Sequence, residues 1–150
     1  MSYEFLVEDL PFTQKAIGTD KGLAKIGDAI VNLSYSIAKS IHLSKNDSLK
    51  KPIRTGVKVS KNVLSMALKK ANMKIYAKNR ADAHDMADTV EAIIAYVYLK
   101  GEISIHDIVR FLSLNFIGDL TNRREERETA IDAFTKFLIS IKKLLPKKVM

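Results

Sequence analysis

The run from Ala87 to Gly101, ADTVEAIIAYVYLKG, constrains the fold more than any other part of the chain. Val90, Ile93, Ile94, Val97 and Tyr98 recur at helical spacing, and Gly101 is placed to close the helix at its C-terminus. Asp88 and Glu91 are three residues apart and therefore share a face, one turn above the other. Two carboxylates beside so much apolar sequence are hard to hold together unless a cation lies between them. A divalent metal is one candidate; an Asp88 that merely faces solvent near a helix start is the other reading. Asp82 and Asp85 lie earlier, where acids complement the helix dipole, but Glu91 is too deep for that account. His84, one turn before Asp88, is either a further ligand or a surface histidine.

A second helical pattern runs from a cap at Thr19 or Asp20 to about Ile41, with Leu23, Ile26, Ala29, Ile30, Leu33, Ile37 and Ile41 as its apolar set. Gly27 interrupts it. A glycine inside a helix costs roughly 1 kcal/mol relative to alanine, so close approach by another helix is the expected compensation. Asp28 follows directly, and a helix packed on Gly27 brings its own groups to that carboxylate. Taken alone, Asp28 is equally read as a solvated or capping acid.

The rest of the chain extends this helical pattern. Phe5, Leu6, Val7 and Leu10 suggest a short opening helix, and Phe12 to Gly18 a brief connecting helix or loop. Leu43 to Lys51 reads as a loop, followed by a helix from Pro52 to about Met73, bent near Gly56. Ser104-Ile105-His106-Asp107 has capping-box spacing and opens a helix through about Phe116. A last helix begins with Glu125, Glu126 and Glu128, ends with Lys142 and Lys143, and carries an apolar stripe from Ala130 to Leu145. No strand-period segment stands out. The expectation is a single all-α domain over 1–150, a bundle of about five to seven helices.

Composition narrows the function classes. With no cysteine, disulfide and thiol chemistry are excluded. No basic-then-apolar leader and no spanning run of about 18 apolar residues is present, so a cytoplasmic protein off the membrane is expected. The formal net charge of +8 favours a polyanionic partner. Lys50, Lys51, Arg54, Lys58, Lys61, Lys70, Lys74 and Lys78 lie in a stretch almost free of acids and are candidate phosphate contacts. If that stretch is helical, Arg54, Lys58 and Lys61 share one side and Lys70, Lys74 and Lys78 another. There is no P-loop glycine pattern, no HExxH and no nucleophile-histidine-acid set. Asp28, Asp88 and Glu91 remain, hard oxygen donors suited to Mg²⁺ or Mn²⁺.

These residues also carry a family resemblance. Leu23-Ala24-Lys25-Ile26-Gly27-Asp28-Ala29-Ile30 resembles the signature helix of the ribonuclease III family, and Ala87-Asp88-Thr89-Val90-Glu91-Ala92-Ile93-Ile94 with Val97-Tyr98-Leu99 is similar to its second motif. The resemblance implies an all-α, homodimeric endonuclease domain that hydrolyses phosphodiesters in double-stranded RNA with a divalent metal, leaving 5′-phosphates and short 3′ overhangs. Asp28, Asp88 and Glu91 match the family's acids and are implied metal-binding, catalytic residues. Two departures stand out: Ala24 replaces a metal-ligating glutamate, and Lys21 replaces a further acid. Asp85 is a candidate substitute. A double-stranded-RNA-binding domain, which full-length relatives append, is not expected. The chain looks closer to the compact Mini-III branch, associated with ribosomal-RNA maturation, or to a compact archaeal relative.

Three functions are therefore open: a Mg²⁺- or Mn²⁺-dependent homodimeric endonuclease for double-stranded RNA, a catalytically impaired RNA-binding protein of the same fold, and a helical interaction module. Apolar positions on the Ile105–Phe116 and Ala130–Leu145 helices are available for a dimer interface or for the monomer core.

Overall fold

The computed structural model describes residues 2–150. The described residues form six α-helices and three short 3₁₀ turns, with no strand. The helices are α1 (Gln14–Gly18), α2 (Lys21–Lys45), α3 (Lys61–Lys70), α4 (Ala83–Leu99), α5 (Ile105–Asn115) and α6 (Arg123–Ile141). The expected all-helical bundle of five to seven helices is what the chain forms. None of its helices is long and apolar enough to cross a membrane, among the described residues.

α4 runs through the middle of the bundle. From Met86 to Leu99 only Asp88 and Tyr98 are less than fully buried, and α2, α3 and α1 all pack on it. Its start is set by a capping box: the Asp85 amide donates to Asp82 Oδ1 (2.8 Å) and the Asp82 amide to Asp85 Oδ2 (3.1 Å). Arg80 lies outside the helix in the left-handed region, at φ 59°. Gly101, at φ 80°, ends the helix in the conformation glycine tolerates best.

α2 starts at the expected cap, Asp20, whose carboxylate accepts from the Leu23 amide (3.3 Å). It extends past Ile41 to Lys45, so Leu43 and Ser44 are helical rather than loop. The apolar set inferred for it mixes two faces. Leu23, Ala24, Gly27, Ile30, Val31, Ser34, Tyr35 and Ala38 are buried, whereas Ile26, Ala29, Leu33 and Ile37 form an exposed stripe. The buried face is the one rich in small residues, because only small residues let the α4 backbone come close.

The helix expected from Pro52 does not form there. Residues 51–60 are extended along α2, and α3 begins only at Lys61, capped by Ser60. The cause is a ladder of side chains spaced four apart on α2. Ser44 Oγ accepts from the Ile53 amide (2.7 Å), Ser40 Oγ from Thr55 (3.0 Å), Ser36 Oγ from Val57 (2.9 Å) and Asn32 Oδ1 from Val59 (2.8 Å). Four helical residues advance about 6 Å and two extended residues about 6.6 Å, so the two repeats run in step. The segment's backbone is thereby satisfied without a sheet. Ile53, Thr55, Val57 and Val59 do alternate with outward-facing Arg54, Gly56 and Lys58, a strand period the sequence carries after all. Arg54 and Lys58 therefore project from an extended strap, not from a helix face shared with Lys61.

The capping box at Ser104 and Asp107 opens α5 as expected. On α6, Ala130, Phe134, Phe137, Leu138 and Ile141 are buried, as is Leu145 beyond it, so this stripe is monomer core. The unburied apolar surface lies elsewhere: Leu33 is 52% exposed and Leu114 73%. An open groove of about 570 Å³ between α2 and α5 is lined by Ile37, Ile41, Ile105, Val109 and Leu114.

Ser40→Ala removes the acceptor for the Thr55 amide (3.0 Å) together with the hydroxyl that donates to the Ser36 carbonyl (2.8 Å). The expected cost is about 1–2 kcal/mol in denaturant unfolding. Amide hydrogen exchange should accelerate at Thr55 well before it does at Val59, which Asn32 holds independently.

Candidate active site

Gly27 of α2 meets the α4 backbone at Glu91. A Cβ built on Gly27 would fall 1.8 Å from the Glu91 carbonyl oxygen, so no larger residue fits. This is the close helix crossing anticipated from the sequence. It sets Asp28, the next residue on α2, against the Glu91 side chain. Asp28 Oδ1 accepts from Asn32 Nδ2 (3.1 Å), and the same amide's oxygen holds the last rung of the strap, so the strap braces the site's first carboxylate.

A cavity of about 300 Å³ opens at this crossing. Asp28, Asp88 and Glu91 line it together with Ala24, Lys21, Lys25, Lys58 and Lys61. Glu91 is 6% exposed. Burial, reinforced by the adjoining Asp28 carboxylate, pushes its carboxyl up to about 8; Asp88 adds to the rise and Lys61 opposes it. Near neutrality the Asp28–Glu91 pair thus retains a proton where a cation would otherwise be needed.

Asp88 is engaged differently. Its Oδ2 lies 3.3 Å from Lys21 Nζ and its Oδ1 3.9 Å from Lys61 Nζ. His84 Nε2 is 3.7 Å from Oδ2 on a largely exposed ring. Asp85 is committed to the α4 cap and lies 3.4 Å from Lys78. It lines a smaller neighbouring cavity with Asp88, not the one containing Asp28 and Glu91. It therefore does not stand in for the acid that Ala24 lacks.

The donor set is of the kind that suits a hard divalent cation: three carboxylates, one of them buried, around a cavity with room for water. Among the described residues, no three acids or histidines stand together as a ready-made metal cluster. Asp28 and Glu91 face each other, while Asp88 turns to the lysines.

A family model described as ribonuclease III matches residues 21–147. The chain belongs to the ribonuclease III family. No curated protein matches the sequence significantly. Within this ribonuclease III domain, the two segments that resemble the family's motifs lie on the two helices that cross at Gly27.

The basic residues named from sequence divide by location. Lys58 and Lys61 line the cavity that holds the three acids, whereas Lys78 pairs with Asp85 in the smaller neighbouring one. Arg54 and Lys51 are exposed on the strap, and Lys50 donates to the Lys45 carbonyl just before it. Lys70 closes α3 at the end opposite Lys61, and Lys74 lies beyond it, so neither is joined to the cavity. Lys21 and Lys25 were missed, although their spacing to Asp28, at i, i+4 and i+7 on one helix, put all three on one face.

Glu91 makes stability pH-dependent. The folded protein retains its proton up to about 8, whereas the unfolded chain releases it near the ordinary value of 4.5. Between those values the folded state binds more protons, so stability falls as pH rises. In a chelator-containing buffer, the melting temperature should decline from pH 5 to pH 8. Glu91→Gln should flatten that decline and raise the pH 8 melting temperature by about 2–4 °C, read by differential scanning calorimetry.

Proposed function

We propose that this chain is a divalent-metal-dependent endoribonuclease that hydrolyses phosphodiesters in double-stranded RNA as a homodimer. The observation that carries the reading is the buried Glu91 carboxyl against Asp28 and beside Asp88, in a cavity whose other lining residues are four lysines and Ala24. Asp28, Asp88 and Glu91 would hold Mg²⁺ or Mn²⁺. When bound, such an ion supplies Lewis-acid activation of the phosphodiester and of the attacking water. Glu91, with its carboxyl raised toward neutrality, can hold and release a proton at its own oxygen. Lys58 and Lys61 at the rim, continuing into Arg54 and Lys51 on the strap, suit the phosphates of an A-form duplex. Hydrolysis adds water across a P–O bond, leaving a 5′-phosphate and a 3′-hydroxyl.

The dimer is proposed on the exposed apolar stripe of α2 and the adjoining groove against α5, surface with no other use in the monomer. Duplex segments of ribosomal RNA precursors are the substrate class that the likeness to the compact branch suggests, and the cytoplasm is the corresponding compartment. A second reading is favoured by Ala24 and by the ion pairs that occupy Asp88: RNA binding without cleavage.

One sample tests both. The protein should sediment as a dimer and cleave duplex RNA when Mg²⁺ or Mn²⁺ is added. Asp88→Asn and Glu91→Gln should each lower the rate by at least about a hundredfold. Salt-sensitive binding of RNA that stays intact with either metal would support the second reading and refute the first.

A further inference from the structure

Lys21 and Lys61 are the first residues of α2 and α3, and neither helix has an acid in its first turn. Cations at helix N-termini oppose the helix dipole, so neither lysine is explained by the stability of its own helix. Their positions come from different parts of the chain, yet both ammonium groups meet one carboxylate, one at each oxygen of Asp88. Four lysines line the cavity against three acids, so its rim stays cationic even with every acid ionised. Asp88 cannot serve a divalent cation fully while both ammonium groups compete for it, and the lysines cannot serve a phosphate fully while they hold Asp88.

We propose that Lys21 and Lys61 form a counter-ion clamp on Asp88 that couples two binding events: an RNA phosphate entering the cavity draws the ammonium groups off Asp88 and frees it for the divalent cation. Lys21 and Lys61 are thus positioning residues acting through Asp88. The proposal rests on the metal-dependent reading above. It adds that cation and phosphate favour one another, each raising the other's affinity by the same factor.

The test is Mn²⁺ binding followed by calorimetry in the absence of RNA, with sulfate as the tetrahedral anion probe. Lys61→Met and Lys21→Met should each tighten Mn²⁺ about three- to tenfold, since each removes a competing charge from a part-exposed pair. Lys61→Arg should stay near wild type because it keeps the competing charge. Replacing chloride by sulfate at matched ionic strength should tighten Mn²⁺ binding by wild type and leave the double Met variant unchanged. Thermal melting of each variant checks that the fold is intact. If wild type binds Mn²⁺ and the Met variants bind it equally or more weakly, the clamp is refuted. A sulfate effect that is absent, or equal in wild type and double variant, refutes the coupling. Failure of wild type to bind Mn²⁺ in either salt refutes the metal-dependent reading itself, and the clamp with it.

Discussion

Contact between the α2 backbone at Gly27 and the α4 backbone at Glu91 is the constraint on which the rest of the structure depends. Two helices that approach this closely exclude side chains from the crossing, and the Glu91 side chain beside it is buried. Asp28 and Glu91 flank it. Their proximity follows from backbone contact rather than mutual attraction, which is why the pair persists although like charges and burial both oppose it.

That arrangement has an electrostatic consequence. A buried carboxyl against a second one takes up a proton or a cation, and Glu91 with its raised carboxyl takes up the proton near neutrality. The third acid, Asp88, is half-buried, as Asp28 is, and faces two lysines. The site is thus divided into a proton-holding half and a lysine-holding half, on one face of α4. Within the ribonuclease III domain the three acids come from the two crossing helices, whereas Lys61 comes from the start of α3.

Much of this was legible because helical periodicity and capping chemistry are local signals. Asp20, Ser104 and Gly101 end or start helices where their residue types say they should. Gly27 was informative because glycine inside a helix calls for a compensating contact. The extended strap was misread because its hydrogen-bond partners are side chains of a distant helix. The four-residue spacing of Asn32, Ser36, Ser40 and Ser44 and the two-residue alternation from Ile53 to Val59 were both in the sequence, but either alone looks unremarkable. The two apolar faces of α2 merged for a related reason: periodicity reports that a residue is apolar, not which neighbour covers it. Lys21 and Lys61 could not be assigned to Asp88 without the tertiary crossing that brings their helix starts together.

The central claim is that backbone contact at Gly27, rather than the acids themselves, creates the environment of Glu91. Carboxyl ¹³C titration of Glu91 by NMR, in wild type and in Gly27→Ala under metal-free conditions, tests it most directly. The wild-type carboxyl should titrate near 8. In the variant, the added Cβ forces the helices apart and admits water. Its Glu91 should move back toward the ordinary value, and the protein should melt earlier despite alanine's better helix propensity. A wild-type titration near 4.5, or a Gly27→Ala protein that matches wild type in both titration and melting, would contradict the account.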